Sequence, residues 1–283
     1  MDLKHLQTWM GQMRTEEDNL SLRHARLMAA TLGLDPERLQ SGDPLPPLWH
    51  WIYFLEGQVP ERLGRDGHPA RGGFLPPVPL SNRMWAGGRL EFFAPLPLGQ
   101  AVQKRSQVLS VEHKRGRSGD LVFVTVEHEV WCQGRRALRE EHDIVYKEPS
   151  PSHSPAALQA APVMGTQQRP VQVNSTTLFR YSALTFNGHR IHYDADYCRQ
   201  VEGYAQPVIH GPLSATLLAN WAQDIAPRAL SHFVYRGLSP SLLGDTLTLQ
   251  CQAHESDPDA LQMWINLSDG RQSMQATARF AAL

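Results

Sequence analysis

Val122, Val124, Val126 and Val130 fall on alternate positions of the run DLVFVTVEHEVW, and a period of two predicts a β-strand with one buried face. MWAGGRLEFFAP and AVQKRSQVLSVEH before it, and residues 138–146 after it, predict further strands and a sheet-rich first half. A second set lies near the C-terminus: SHFVYRGLSP, TLTLQCQAHE, ALQMWINLSD and SMQATARFAA. Helical spacing is confined to a few places. Leu20, Leu22, Ala25, Leu27, Met28 and Leu32 predict a helix over about 19–32, with Asn19 or Ser21 as its cap. Leu213, Leu217, Leu218, Trp221 and Ile225 give a second helix a broad apolar face, and Ala215, Ala219 and Ala222 keep it slim. Pro46-Pro47 opens LWHWIYFLE, where Trp49, Trp51, Tyr53 and Phe54 predict a buried core helix whose rings pack or line a ligand channel.

Two stretches lack either period. Residues 56–80 are rich in Gly, Pro and Arg and read as a long loop, either solvated or with Arg62, Arg65, Arg71 and His68 meeting a phosphate. Residues 149–170 are dense in Pro, Ser and Ala and read as a linker between a domain over 1–148 and another over 171–283. The segment 94–100 (APLPLGQ) matches 239–245 (SPSLLGD) at an offset of 145 residues, each following one strand-like run and preceding others. The same turn chemistry in the same order of elements points to a duplicated fold.

Composition narrows the function by exclusion. Twenty-seven basic and 28 acidic residues give a formal charge of −1, which offers nothing for nucleic acid or a membrane surface. Cys132, Cys198 and Cys251 are scattered, with no CxxC pair, so a disulfide framework or zinc ribbon is not expected and a reducing cytoplasm is. No leader or membrane-spanning segment is expected either.

Candidate chemistry concentrates between residues 179 and 221. Asn187-Gly188 is a turn dipeptide, so Asn187 and His192 should stand on an irregular segment that brings both toward one reacting atom. Downstream, Gly211 lets a ligand approach the backbone, Pro212 suits the first helical turn, and the helix start supplies free N–H groups.

The segment TFNGHRIHYD, followed by His210-Gly211-Pro212-Leu213, resembles the MaoC-like, (R)-specific enoyl-CoA hydratase branch of the hotdog superfamily. The usual motif there is Asp-x-Asn-Pro-aliphatic-His, then His-Gly about twenty residues on. Here the aliphatic, the final His192 and the His-Gly match, whereas Asn187, His189 and Arg190 replace Asp, Asn and Pro. Those departures are similar to the branch of mesaconyl-CoA and itaconyl-CoA hydratases and mitochondrial 3-hydroxyacyl-thioester dehydratases. The resemblance implies an α+β double hotdog, two bent antiparallel sheets each wrapped around a central helix. The first half would act as partner to a catalytic second half. It also implies a homo-oligomer, such as a dimer, and coenzyme A as part of the substrate, with no separate cofactor and no metal.

Hydration of an unsaturated thioester needs a proton-transfer group, a group that aims the water and an oxyanion donor. The expected catalytic residues are His192, Asn187 and the Gly211 N–H in those roles. Expected substrate or coenzyme A contacts are His189, Arg190, Arg89, His210 and Tyr181. His189 stands between supporting and direct chemistry, as a replacement for the missing carboxylate, and His210 reads first as a helix-start residue. The expected reaction interconverts itaconyl-CoA or mesaconyl-CoA and citramalyl-CoA, for whose free carboxylate Arg190 and Arg89 are the candidates. The alternatives are a fatty-acid 3-hydroxyacyl-thioester dehydratase, an acyl-CoA thioesterase or binding protein, and a hydrolase with a metal on His189, His192, His210 and His232.

Overall fold

The computed structural model describes residues 1–116, 119–148 and 164–282. Ten antiparallel strands form one continuous sheet: β1 (Met13–Asn19), β2 (Asn82–Phe92), β3 (Ala101–Gly116), β4 (Gly119–Cys132), β5 (Arg135–Lys147), β6 (Gln167–Val171), β7 (Leu230–Gly237), β8 (Leu247–Ala253), β9 (Ala260–Leu267) and β10 (Gln272–Phe280). Their spatial order is β1-β3-β4-β5-β2-β7-β10-β9-β8-β6. Each half repeats the other outward from the central pair β2–β7. The alternating valines of β4 are buried, as the period of two requires.

The register bears out the duplication. Across the central pair Arg89 lies opposite Val234, 145 residues later, which places a pseudo-twofold axis at that pair. The bridge Pro44↔Pro97 is matched by Val208↔Leu242, and Gly99 and Gly244 share a positive φ. Helix α2 (Leu22–Thr31), after the short α1 (Leu3–Gln7), corresponds to α3 (Ser175–Leu184). Ser21 caps one and Asn174 the other, each accepting the N–H three residues on. Residues 167–170, expected in the linker, belong instead to β6, where they pair with β8. Of the other linker positions, 149–163 lie outside the described residues.

The halves differ where a central helix belongs. After the short α4 (Ala195–Tyr197), α5 (Gly211–Ile225) packs on β7, β9 and β10 over Cys251, Met263, Ala276 and Ala278, all buried. In the first half the expected core helix is one 3-10 turn, Trp49–Ile52, set between Leu48 and Phe54, both with positive φ (68° and 56°). The sheet beneath accounts for this. By register the counterparts of the four apolar floor residues are Ser106, His128, Glu140 and His142, where an apolar helix face would find polar groups. Two side chains of the turn satisfy Glu140, while Ser106 and His128 pair with each other and His142 Nε2 has no hydrogen-bond partner among the described residues. His50 Nε2 lies 2.8 Å from Glu140, the Trp51 indole N–H donates to the same carboxylate at 3.0 Å, and Ser106 Oγ lies 2.7 Å from His128 Nδ1. Trp51 then packs against Trp85 and Tyr235, forming an aromatic seam between the halves beside the start of α5. Cys132, Cys198 and Cys251 are separate, buried thiols. Among the described residues no helix is long and apolar enough to cross a membrane.

Burial alone would raise the Glu140 carboxyl, but the His50 contact and the neighbouring imidazoles outweigh it and hold the group at about 2, below its ordinary 4.5. The folded value is depressed, so this stabilisation is present above about pH 4.5 and is lost as pH falls toward 2. Glu140→Gln should cost about 1–3 kcal/mol at pH 7, for a charge-assisted bond in a buried network. The gap in melting temperature from the parent should close between pH 4.5 and 2, as read by thermal melts across that range.

Candidate active site

Helix α3 ends at Leu184 with Thr185 as its cap, and Phe186, just ahead of the Asn187-Gly188 turn dipeptide, takes a left-handed φ (47°). The Asn187 side-chain oxygen then accepts the His189 N–H at 2.9 Å, an Asx turn that leaves the amide NH2 for a ligand. His189 leads into the 3-10 turn Arg190–His192. A backbone bond from Val208 N–H to Ile191 O fastens this segment to the strap before α5, and one from Ile209 N–H to Ser241 O ties the strap to the turn before β8. The same strap supplies a carbonyl to the base: His192 Nδ1 lies 2.7 Å from Val208 O. A carbonyl can only accept, so Nδ1 carries the proton and Nε2 keeps its lone pair.

His192 is buried, 8% exposed, and stacks on His210 at 3.6 Å with 19° between planes. Burial pushes its pKa down to about 4, more than the Val208 carbonyl raises it, and His68 lowers it further, so the ring is neutral at physiological pH. Behind it, His210 is fully buried, with Nε2 2.8 Å from Ser182 Oγ and its ring 4.9 Å from that of the equally buried Tyr181. Tyr181 and His210, expected to contact substrate, therefore form the wall that holds His192. At the start of α5 the Gly211 N–H has no partner among the described residues. A Cβ there would find only Trp85, 3.9 Å away, so the protein leaves space at that N–H.

The long loop of the first half, read as solvated or phosphate-facing, meets the motif instead. Between Leu63 and Pro69 it forms a tight hairpin whose tip lies on the motif. Arg190 N–H donates to Asp66 O at 2.9 Å, and the His68 ring sits 4.2 Å from that of His189. Two glycines make this approach feasible: a Cβ on Gly67 would overlap the Gly188 carbonyl oxygen, and one on Gly188 would lie 2.8 Å from Gly67 O. Gly188 is thus required for close approach. Asp66 Oδ2 lies 3.4 Å from His68 Nδ1, and burial lowers the His68 pKa, so the ring is neutral beside the carboxylate. The sequence showed Asp-Gly-His in that loop, but its pairing with a motif some 120 positions away had no local signal.

Other expected contacts fall elsewhere. Arg89 lies on the exposed face of β2, held by Glu141 and Asp143 at 2.8 and 2.7 Å, since its neighbours in the strand turn inward. Arg190 is tied to Asp194 at 2.7 Å and stacks on Tyr197, so its charge is already matched. Arg71 donates to the carbonyls of Val78, Leu80 and Ser81 and pins the loop. Arg117 and Ser118, in the basic stretch between two strand-like runs, lie outside the described residues. The four-histidine metal set does not assemble. His232 is exposed on β7 opposite Glu91, and the stacked rings of His192 and His210 face each other rather than converging their nitrogens.

A neutral imidazole with a free Nε2, next to an unpaired N–H at a helix start, can move a proton and stabilise an enolate. This fold and site define the double-hotdog, MaoC-like class of hydratases and dehydratases. A family model for hydroxyacyl-thioester dehydratase type 2 matches residues 48–243, and the chain belongs to that family. It is 40% identical over 270 residues, 95% of both chains, to mesaconyl-C(4)-CoA hydratase of Chloroflexus aurantiacus. It is 26% identical over 72% of its length to the mitochondrial hydroxyacyl-thioester dehydratase type 2 of Schizosaccharomyces pombe, covering 77% of that protein. Among solved structures, a MaoC-like dehydratase from Phytophthora capsici shares the fold, with TM-score 0.75 and 13% identity, over 99% of this chain and 98% of its own. A double-hotdog protein of Mycobacterium tuberculosis does so with TM-score 0.61 and 16% identity, over 95% and 96%. The chain is a hydratase–dehydratase of the enoyl-CoA type.

His192→Ala should lower kcat by about 10²–10⁴ with an unchanged fold by circular dichroism. Gly211→Ala should melt no lower than the parent, because the protein leaves room for the methyl and Ala favours a helix. Its kcat/KM for an enoyl-CoA should fall at least tenfold if that space belongs to the thioester oxygen.

Proposed function

We propose that the chain reversibly hydrates a dicarboxylic acyl-CoA of the itaconyl or mesaconyl type to citramalyl-CoA, directly for the α,β-unsaturated mesaconyl thioester and, for the itaconyl thioester, whose double bond is β,γ, after that bond has moved into conjugation. In this reading His192 Nε2 takes a proton from water as its oxygen bonds to the β-carbon. The π electrons move into an enolate held by the Gly211 N–H, and His192 returns the proton to the α-carbon. The Asn187 amide NH2 orients the water or the thioester. No charge is gained or lost over the cycle, so a buried neutral imidazole suffices.

The observation that carries the dicarboxylic part is Arg83. On β2 it precedes Trp85 by two residues and so shares the face that Trp85 presents toward Gly211. Arg89, Arg139 and Arg190 each have a carboxylate partner, whereas Arg83 has none within 4.0 Å among the described residues. Half-buried, it lies close enough for its charge to act on Asp66, His68, His142 and His189. A guanidinium at the site with Tyr146 beside it but no carboxylate partner suits a free carboxylate on the acyl group. The relative of 40% identity, named for a mesaconyl thioester, supports the same substrate class.

The fatty-acid reading draws on the yeast relatives and needs no such cation. Crotonyl-, mesaconyl- and itaconyl-CoA, followed by loss of enone absorbance and by thiol release, separate the readings. The parent should prefer a dicarboxylic thioester and release no thiol. Arg83→Met should lower kcat/KM for that thioester about 10–100-fold, the worth of a charged hydrogen bond, and leave crotonyl-CoA within threefold. A parent that favours crotonyl-CoA, or a variant that loses both substrates equally, contradicts the dicarboxylic assignment.

A further inference from the structure

The hairpin tip of the first half brings a carboxylate and an imidazole to a motif that lacks its usual carboxylate. Asp66 Oδ2 lies 3.4 Å from His68 Nδ1, so the other ring nitrogen, Nε2, is free of this pair. The same carboxyl group's Oδ1 accepts the His68 backbone N–H at 3.1 Å, which fixes one residue against the other. His68 keeps 23% of its side chain exposed, enough to meet a water in the groove, while its ring packs at 4.2 Å on His189, itself 5.5 Å from the His192 ring. Burial opposes charge on Asp66, but the His68 contacts outweigh it and hold the carboxyl well below the usual range. The pair is held against the motif by the Gly67–Gly188 approach and the Arg190–Asp66 backbone bond.

We infer that His68 is a further catalytic residue that binds the attacking water, and that Asp66 is its positioning residue, the pair replacing the carboxylate absent at Asn187. This rests on the hydration reading. One O–H of the water donates to His68 Nε2, while His192 removes the other proton. The oxygen–β-carbon bond forms, the π electrons pass to the enolate, and the proton on His192 goes to the α-carbon. His68 ends as it began, and Asp66, its carboxylate 3.4 Å from Nδ1 and bonded to the His68 backbone N–H, favours the tautomer that leaves Nε2 free. The first half thus supplies chemistry as well as shape.

The test is steady-state hydration of crotonyl-CoA and mesaconyl-CoA by the parent, Asp66→Asn, His68→Gln and the double variant, with melts and metal content of each. Asn preserves the oxygen that accepts the His68 N–H, so the hairpin should stay folded. The inference predicts kcat about 10–100-fold lower in each single variant with KM within threefold. It also predicts a double variant no worse than His68→Gln alone, since Asp66 acts only through His68. A kcat within threefold of the parent in both single variants overturns it, as do additive losses in the double variant or a loss confined to KM. One ligand atom each from Asp66, His68 and His189 lies within 4.8 Å of the others, so a stoichiometric divalent metal absent from both variants would also overturn it. A parent inactive on both thioesters would instead defeat the hydration reading itself.

Discussion

A single hydrogen bond, His192 Nδ1–H to the Val208 carbonyl at 2.7 Å, governs the chemistry available to this protein. It fixes the tautomer and so leaves Nε2 as the proton acceptor. Burial keeps the ring neutral, and the stack on His210 stops it from turning. The carbonyl can do this because the strap before α5 is bonded both to the motif, through Ile191, and to the turn before β8, through Ser241. Tyr181 and His210 serve the reaction by filling the space behind the base.

The asymmetry of the duplicated fold follows from a few side chains. Where α5 packs on Cys251, Met263, Ala276 and Ala278, the first half has Ser106, His128, Glu140 and His142 at the matching positions. Burying a helix's apolar face on those groups would leave them without partners. His50 and Trp51, from one short turn, satisfy the carboxylate among them instead, and Ser106 pairs with His128. That half still reaches the chemistry, through Trp85 beside Gly211 and through the hairpin that lays Asp66 and His68 on the motif.

The strands were legible because alternation of Val122, Val124 and Val126 with polar residues is a local property. The repeat was legible for the same reason: the Pro- and Gly-bearing turns before β3 and β8 keep their chemistry at the 145-residue offset. His192 and Gly211 could be singled out from the motif. Trp49–Ile52 was misread as a helix because aromatic density signals burial but not conformation, which here is set by left-handed Leu48 and Phe54. Arg89 and Arg190 looked available because their acidic partners on β5 and at Asp194 become neighbours only in the fold. Asp66 and Arg83 escaped notice, and His68 was read only as a phosphate contact, for the converse reason. Nothing within ten residues of them marks the motif they meet.

A crystal structure of the His192→Ala variant bound to mesaconyl-CoA tests the central claim most directly. The account predicts the thioester oxygen at hydrogen-bond distance from the Gly211 N–H, with the β-carbon facing the space vacated by the imidazole and the hairpin carrying His68. An acyl group lying elsewhere, with its carbonyl away from the start of α5, would contradict it.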